Sequence, residues 1–459
     1  MKKILYVLGV SLLLTGCAGD YMETEAQSSA DMSTVFETTA NAELAINGLC
    51  RMMVNQYIGS QGFNGEGTIK LWYGNMPGND FQKSNNTGMK ATANGENVEN
   101  KTSTYTYYPW FYYYKIIGNA NTIINTIDES EGKNADKQFI KAQALTFRAY
   151  CYTMLLQIYA YRWQDSNNGS TRGVPLRLDD SKGDLAASTV AEVYQQIYND
   201  LDEAITNFTN SQRKRANNDF YSPDISVAYA IYARAALIRQ DWNNAAKYAE
   251  LARSGYSLMS NSQYLSGFNT SNKEWIWGSF SATDQTLYYY SLFAYQGANS
   301  SATQARSYPA AISKTLYDKI PATDIRKGLF LEPKKGESFT KSNGRVSSGA
   351  LFDRARKEYG DKLIITGQNQ SLIYTYMQFK FLVLDQPGIG NINHFRAAEM
   401  YLIQAEANCH IGGKDAETQK LLETLNKERD EAYTCAKTGS DLLEEVKLYR
   451  KIELWGEGF

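Results

Sequence analysis

The sequence predicts a mainly α-helical protein in which paired, repeat-like helices carry loop-rich segments with short strands. Three observations lead to this fold class. Apolar residues recur every three or four positions over several long stretches, which is the period of an amphipathic helix. Two other stretches are rich in Gly, Asn, Ser and Thr and interrupt that period. Aromatic residues are abundant, with 34 tyrosines and 7 tryptophans against 2 histidines, so we expect aromatic side chains on the surface.

The N-terminus has the pattern of a lipoprotein export signal over residues 1–16. Lys2 and Lys3 precede an apolar run that begins at Ile4, and Leu14-Thr15-Gly16-Cys17 forms a small-residue cleavage site. The apolar run is shorter than the roughly 20 residues that span a bilayer, which disfavours a transmembrane anchor. We therefore expect a lipid on the Cys17 thiol and a flexible polar tether over residues 17–30.

Residues 31–459 are predicted to form a single domain. Its most regular helical stripe lies between Asp136 and Tyr161, and Thr189-Val190-Ala191-Glu192 has the pattern of a capping box at a helix start. A further helical cluster is predicted from Phe395 to Ala432, with a partner helix from Asp441. The whole helical scaffold is predicted over residues 31–58, 101–255 and 392–459.

The Ala-rich stretch from Tyr232 to Ala252 resembles a tetratricopeptide repeat, in which small residues let two antiparallel helices approach closely. Paired helices of this kind must stack to bury their apolar faces, so the predicted scaffold is tetratricopeptide-like. The other two segments, residues 59–100 and 256–391, are predicted to be variable loops, with a short strand near Trp275 and Trp277. Loops on a rigid scaffold commonly carry function.

Composition excludes several classes of function. The formal net charge is −2, so nucleic acid is not an expected partner. His394 and His410 are 16 residues apart and have no metal-ligand spacing, and the sequence holds no nucleotide-binding glycine motif, so no metal or cofactor is expected. Cys50, Cys151, Cys409 and Cys435 are far apart in the sequence and are predicted to be structural.

Two pairs of carboxylates raise the alternative of a glycosidase, because sugar hydrolysis uses two carboxyl groups that face each other across a cleft. They are Glu399 with Glu406 and Glu453 with Glu457. Each pair lies along one helix, however, and arginines occur at comparable helical positions, namely Arg148, Arg234, Arg396 and Arg450. Structural ion pairs are therefore the favoured interpretation, and no catalytic residue is predicted.

Aromatic and polar residues mixed on loops are typical of carbohydrate sites, since sugar rings stack on aromatic faces and hydroxyl groups need polar partners. Two parts of the predicted loops have this mixture. The candidate ligand-binding residues are Trp72, Tyr73, Asn75, Asp80 and Phe81 in the first, and Trp277, Tyr288, Tyr289, Tyr290, Phe293, Tyr295, Arg306 and Tyr308 in the second. For the first group, packing in the core is an equally good interpretation.

Four features together closely resemble the SusD/RagB nutrient-binding family of Bacteroidetes, over essentially the whole chain. They are the cleavage site before Cys17, Phe147-Arg148-Ala149-Tyr150, the segment Phe395-Arg396-Ala397-Ala398-Glu399-Met400-Tyr401-Leu402, and Ile452-Glu453-Leu454-Trp455-Gly456-Glu457-Gly458-Phe459. Family members usually continue past this last segment, so the chain is expected to be truncated at its C-terminus.

The resemblance implies a non-enzymatic lipoprotein of the outer membrane that faces the cell exterior. It implies that the protein captures an oligosaccharide or polysaccharide and delivers it to a partner, a SusC-like TonB-dependent outer-membrane channel. A peptide or another nutrient remains an alternative ligand, and a surface glycosidase is a weaker alternative.

Overall fold

The computed structural model describes residues 35–58, 63–83, 90–179, 181, 183–282, 291–342 and 344–459. The fold is mainly helical, as predicted. The longer helices are labelled in chain order, and shorter ones are named by their bounds. They are α1 (Thr39–Met52), α2 (Thr104–Thr126), α3 (Asn134–Tyr159), α4 (Val190–Ser211), α5 (Ile225–Ile238), α6 (Trp242–Arg253), α7 (Ala350–Glu358), α8 (Ala397–Ile411), α9 (Asp415–Lys427) and α10 (Gly439–Glu453).

The scaffold helices pack in a continuous series. Helix α2 packs on α3, α3 on α4, α4 on α5 and α5 on α6, and α8 then packs on α6, α9 and α10. The predicted capping box starts α4, where the Glu192 backbone N–H donates to the Thr189 hydroxyl at 3.2 Å and the Thr189 N–H donates to Glu192 Oε2 at 2.7 Å. The sequence pattern therefore located this helix start correctly.

The helix pair α5–α6 is built as its alanines predict. Ala235, Ala236, Ala245 and Ala249 are buried between the helices, which lets the rings of Tyr232 and Tyr248 stack with centroids 3.8 Å apart. Trp242 at the start of α6 stacks on His410 of α8 at 4.0 Å, so one ring pair joins the scaffold segment 101–255 to the segment 392–459. This arrangement is the tetratricopeptide-like scaffold that the sequence predicts.

The strands are short. Antiparallel pairs join Gln56–Tyr57 with Phe63–Asn64, Phe81–Gln82 with Ala311–Ile312, and Trp275–Ser279 with Ile392–Arg396, and a three-stranded sheet contains Thr340–Ser342, Arg345–Ser348 and Ile373–Tyr374. Within residues 291–342 and 344–391, a second core forms around helix α7, from Ala298, Leu331, Val346, Leu351, Ala355, Leu363, Ile373, Met377 and Phe379. This part of the predicted loop segment 256–391 therefore packs on its own apolar residues as well as on the scaffold.

The remaining short helices lie mostly in the connections. The α-helical ones are Gly65–Ile69, Lys90–Ala93, Glu96–Glu99, Asn261–Tyr264, Leu292–Gln296, Thr303–Arg306 and Lys314–Tyr317. The 3₁₀-helical ones are Ile127–Glu129, Trp163–Asp165, Ile325–Leu329 and Gly360–Lys362, and a π-helical turn covers Lys70–Asn75.

Two details of the sequence prediction are wrong. Phe395 lies in a strand, because it pairs with Trp277 of the opposite strand, and the helix begins only at Ala397. Residues 65–75 are helical rather than loop: Gly65–Ile69 runs directly into the π-helical turn Lys70–Asn75. Gly65 has φ +47°, and a Cβ there would lie 2.0 Å from the Met53 carbonyl oxygen, so only glycine allows this close approach.

Candidate ligand-binding cleft

The two predicted ligand-binding segments meet at a short antiparallel strand pair. Phe81 pairs with Ile312 and Gln82 pairs with Ala311. Directly before this pair, Asp80 accepts hydrogen bonds from Ser313, at 2.9 Å from the hydroxyl to Oδ1 and at 3.1 Å from the backbone N–H to the carbonyl oxygen. Asp80 and Ser313 are 233 residues apart in the sequence, so this strand pair brings two distant segments together.

Lys83 fastens the end of the first segment to the second. Its Nζ donates to the backbone carbonyl oxygens of Gln304 and Tyr308, each at 2.9 Å, and also to that of Tyr295. Burial lowers the pKa of Lys83 to about 7. The Lys83 ammonium group holds three carbonyl groups together. Because its pKa is close to neutral pH, a small rise in pH is enough to remove its proton.

A cleft of about 690 Å³ opens beside this junction. Its walls combine the first segment, the strand Ala311–Ile312 and the three-stranded sheet. Tyr374 is half-buried in the wall, and Gly344 approaches it so closely that a Cβ there would lie 3.2 Å from the Tyr374 ring. The lining residues are Met76, Gly78, Asn79, Phe81, Gln82, Lys83, Ala93, Pro309, Ala311, Lys341, Gly344, Tyr374 and Thr375.

The chemistry of the cleft suits a polar ligand with flat apolar faces. Tyr374 supplies an aromatic ring in the wall, while Asn79, Gln82 and Lys341 are exposed and supply hydrogen-bond donors and acceptors. Sugar rings and their hydroxyl groups require this combination.

Next to the cleft, Tyr376 has a strained backbone. Its φ is +61°, a left-handed conformation that is unfavourable for a bulky side chain. Two backbone hydrogen bonds fix it, from the Tyr376 N–H to the Leu331 carbonyl oxygen at 2.7 Å and from the Ile312 N–H to the Tyr376 carbonyl oxygen at 3.1 Å. Strain of this kind concentrates at functional sites, and here it lies in the turn that directly follows the strand Ile373–Tyr374.

Five of the predicted ligand-binding aromatics lie in the core, which corrects the expectation that their faces are exposed. Trp72, Phe81, Trp277, Phe293 and Tyr295 are each at most 6% exposed. A ring that stacks on a sugar must present a face to solvent, and these five rings are almost wholly covered, although Phe81 also contributes to the lining of the cleft.

The partners of two of these rings show why they are buried. Trp72 lies on the π-helical turn and packs edge-on against Phe63 with centroids 4.9 Å apart. Trp277 is covered by Phe147 and Tyr150, at 5.6 and 5.0 Å, and its indole N–H donates to the Tyr221 carbonyl oxygen at 2.8 Å.

Asn75, also predicted to bind ligand, is only 3% exposed and bonds to two backbone groups of the C-terminal segment and to the Gln296 side chain. Its amide nitrogen donates to the Gly456 carbonyl oxygen at 2.8 Å and to Gln296 Oε1 at 3.2 Å, and its Oδ1 accepts from the Gly458 N–H at 2.8 Å. With these partners Asn75 holds the first segment on the C-terminal segment, and its amide faces protein rather than ligand.

Four predicted residues, Tyr73, Asp80, Arg306 and Tyr308, are half-buried, and their ligand-binding role stays a prediction. Asp80 accepts from Lys451 Nζ at 3.1 Å and Tyr308 lends its carbonyl oxygen to Lys83, so both lie beside the junction that forms the cleft. Tyr288, Tyr289 and Tyr290 lie outside the described residues.

Sequence reasoning missed Lys83 and Tyr374. Tyr374 lies in Ile373-Tyr374-Thr375-Tyr376, an alternating β-branched and aromatic run that is a recognisable strand signal. No comparable signal marks Lys83, because its role depends on three carbonyl groups that only the folded chain brings together.

The carboxylates considered for catalysis pair with arginines, as predicted. Arg234 holds Glu399 at 2.8 Å, Arg396 holds Glu453 at 2.8 Å, and Arg450 lies 3.5 Å from Glu406. Arg396 also holds Glu457 at 2.7 Å and Glu274 at 2.7 Å.

The electrostatics of Glu453 follow from this network. Burial alone would raise its pKa, but the guanidinium groups of Arg396, Arg429 and Arg326 hold the pKa of Glu453 well below its ordinary range. A carboxyl group that stays ionised and fully paired serves the fold rather than proton transfer.

Among the described residues, no group of three or more His, Cys, Asp or Glu side chains is placed to hold a metal ion. In the same part of the chain, Cys50, Cys151, Cys409 and Cys435 are free thiols. Burial raises the pKa of Cys50 to about 12 and that of Cys409 to about 11, which keeps both thiols protonated at neutral pH. Over the described ranges, none of the helices has both the length and the apolar character needed to cross a membrane.

A stacked helical-repeat scaffold with a polar and aromatic cleft on inserted segments defines a binding protein of the tetratricopeptide-like class. Comparisons with known proteins agree with this class. A family model described as SusD-like, starch-binding and associating with the outer membrane, matches residues 20–237, and the model of the SusD family matches residues 240–459. The chain therefore belongs to the SusD/RagB family, whose members are outer-membrane-associated binding proteins.

Solved structures have the same fold. A SusD-like carbohydrate-binding protein from Bacteroides vulgatus is 25% identical, with 92% of this chain and 82% of that chain covered and a TM-score of 0.75. A SusD superfamily protein from the same species is 22% identical, with 92% and 87% covered and a TM-score of 0.72. Surface glycan-binding protein A from Bacteroides thetaiotaomicron, in complex with laminarihexaose, is 16% identical, with 92% and 88% covered and a TM-score of 0.66. No curated protein matches the chain.

Proposed function

We propose that this protein is a cell-surface lipoprotein that binds oligosaccharide in the cleft beside Lys83 and delivers it to a SusC-like TonB-dependent outer-membrane channel. The observation that carries the proposal is the meeting of the two inserted segments at a cleft of about 690 Å³, with Tyr374 in its wall and amide and ammonium groups at its rim. Family membership supports the same function, as does the laminarihexaose complex of a protein with this fold. The protein holds its ligand without cleaving it, since the candidate carboxylates are committed to arginines.

The lipid on Cys17 and the tether over residues 17–30 keep the protein at the outer face of the outer membrane. A tether of this length lets the helical body move at the membrane surface without leaving it, which suits transfer of a ligand into a channel. Both segments lie outside the described residues, so this part of the proposal rests on the sequence.

The cleft is tested by isothermal titration calorimetry against a panel of neutral oligosaccharides. Tyr374→Ala is expected to weaken binding at least tenfold, about 1.4 kcal/mol, because it removes the aromatic face from the wall. Tyr161→Ala is the matched control, since Tyr161 is 67% exposed and lines neither the cleft nor its neighbourhood. Equal affinity of the wild type and Tyr374→Ala would show that the ligand does not bind in this cleft. Binding of peptides in place of glycans would favour a peptide importer.

The anchor is tested separately in cells. Cys17→Ala is expected to leave oligosaccharide affinity unchanged and to abolish both surface retention and uptake. Uptake that persists without surface retention would contradict delivery by an anchored protein, and release of sugar products by the purified protein would contradict the non-enzymatic assignment.

A further inference from the structure

A second cavity, of about 800 Å³, lies on the helical scaffold. It is formed by the connection between α4 and α5, residues 212–224, by the turn at Gly255 and Tyr256 after α6, and by Ser271 to Trp275. It shares no lining residue with the cleft beside Lys83. A site here would be independent of the function proposed for the cleft.

Arg215 gives this cavity a fixed wall. Its guanidinium group donates to the Tyr256 hydroxyl at 2.8 Å, the Ile276 carbonyl oxygen at 2.8 Å and the Ser222 carbonyl oxygen at 3.0 Å, and it pairs with Asp224 at 3.0 Å. A planar guanidinium with this many partners holds three chain segments in one arrangement. The cavity is therefore formed before any ligand arrives.

An aromatic row leads out of the cavity. Trp275 and Phe220 line it with ring centroids 5.8 Å apart, Phe220 lies 5.7 Å from Tyr221, and Tyr221 lies 6.4 Å from Phe280. Phe280 is 51% exposed, in contrast to the buried aromatics of the predicted ligand segments. The Trp275 indole N–H is buried and has no hydrogen-bond partner among the described residues.

The rim of the cavity carries two lysines against one carboxylate, Asp219, which accepts hydrogen bonds from the backbone N–H groups of Tyr221 and Ser222. Lys214 and Lys273 are exposed, and no ion pair to either occurs within the described residues. The cavity's arginines are different, because Arg213 is paired with Glu43 and Asp136, at 2.6 and 3.0 Å, as Arg215 is with Asp224. The two lysines are therefore available to an anionic group of a ligand, beside the exposed amides of Asn217 and Asn218.

We infer that this cavity is a second saccharide-binding site and that it takes an acidic glycan segment. The sugar rings of this ligand lie along the aromatic row from Phe220 to Phe280. The carboxylate or sulfate group of the ligand lies against Lys214 and Lys273. The site is distinct from the cleft in both position and charge preference.

The test uses the full chain and calorimetry with three probes: an oligogalacturonide, a sulfated oligosaccharide and a neutral hexasaccharide. The double variant Lys214→Glu/Lys273→Glu is expected to bind the acidic probe at least tenfold more weakly, with binding of the neutral probe changed less than twofold. Phe280→Ala is expected to weaken binding of the acidic probe at least fivefold. The two acidic probes decide whether the carboxylate or the sulfate is recognised.

The matched control is Lys357→Glu/Lys420→Glu, which makes the same change in net charge at exposed lysines away from both cavities. It is expected to bind every probe within twofold of the wild type. Acidic probes that fail to bind the wild type, or that bind the Lys214→Glu/Lys273→Glu and Phe280→Ala variants unchanged, would overturn the inference. Tyr374→Ala separates it from the proposed function, because loss at the cleft is expected to leave binding of the acidic probe intact.

Discussion

Lys380 and Lys83 both hold inserted segments in place, and they use different partners. Lys380 donates to the Glu457 carboxylate at 2.7 Å and to the carbonyl oxygens of Glu453 and Trp455, both at 2.9 Å. Lys83 donates to the three carbonyl oxygens described above. Burial lowers the pKa of both lysines, to about 8 for Lys380 and to about 7 for Lys83.

The difference lies in the counter-charge. The Glu457 carboxylate offsets part of the effect of burial on the pKa of Lys380, and Glu457 itself belongs to the network centred on Arg396. Burial lowers the pKa of Lys83, and within the described residues Lys83 forms no ion pair with a carboxylate. The junction in the core is thus locked by paired charges, whereas the junction beside the cleft depends on one ammonium group and neutral dipoles.

The largest expected effect tests the locked junction. Arg396→Met removes the guanidinium that holds Glu274, Glu453 and Glu457, and leaves these carboxylates buried without their main partner. We expect the free energy of unfolding, measured by urea denaturation, to fall by about 3–5 kcal/mol. Arg162→Met is the control, because Arg162 pairs with Asp165 in solvent and should contribute under ~1 kcal/mol. If Arg396→Met lowered the free energy of unfolding by less than ~1 kcal/mol, the Lys380 junction would not depend on paired charges, and the proposed difference from the Lys83 junction would be wrong.

A smaller effect tests whether Asn75 stabilises the fold rather than binding ligand. Asn75→Ala leaves the buried Gly458 N–H and a lone pair of the Gly456 carbonyl unpartnered, so we expect a loss of about 1–3 kcal/mol in the free energy of unfolding. Oligosaccharide affinity, measured on the folded fraction by calorimetry, should remain within twofold of the wild type. The reverse result, an intact fold with lost affinity, would restore the role in ligand binding that the sequence predicts.

The smallest expected effect is a pH dependence of the free energy of unfolding that comes from Lys83. The pKa of Lys83 is about 7 in the folded state and near the ordinary lysine value of 10.5 in the unfolded state, so between these values the unfolded state binds more protons. Stability contributed through Lys83 should therefore rise with pH across that window, by at most ~1.4 kcal/mol per pH unit. The free energy of unfolding of the wild type, measured from pH 6.5 to 9.5 relative to Lys83→Met, should show this rise.

Lys83→Met is the suitable reference because it keeps a similar side-chain length without a titrating group. A pH-independent difference between the two proteins would mean that the three carbonyl groups stabilise the ammonium as well as water does, and the contrast with Lys380 would disappear.

Where packing follows from local periodicity, the sequence was sufficient. The capping box at Thr189, the alanines of the α5–α6 pair and the arginine partners of Glu399 and Glu453 were all predicted, since each depends on spacing within one helix or on the high cost of an unpaired buried charge.

The burial of the aromatics was not predictable in the same way. In a regular strand with one face in solvent, Trp275 and Trp277 would share one face and Ile276 would lie on the other. The strand Trp275–Ser279 is instead buried at every residue, and Phe220 packs on Trp275 while Phe147 packs on Trp277. Trp72 looked like a loop residue because Gly and Asn surround it, yet the helical turn that follows Gly65 directs it into the core. Both errors concern contacts between segments distant in sequence, which neither composition nor period encodes.

The strand pair Trp275–Ser279 with Ile392–Arg396 has a consequence for how the chain is divided. Ser279 lies opposite Ile392, so the stretch 280–391 leaves the helical body and returns to it at one point. Because its two ends are already neighbours, a change in the length of this stretch requires little extra loop-closure entropy. Lys380 and Arg326 reach from it to the buried carboxylates of Glu457 and Glu453, so a replacement leaves the helical body intact only if it keeps these two residues.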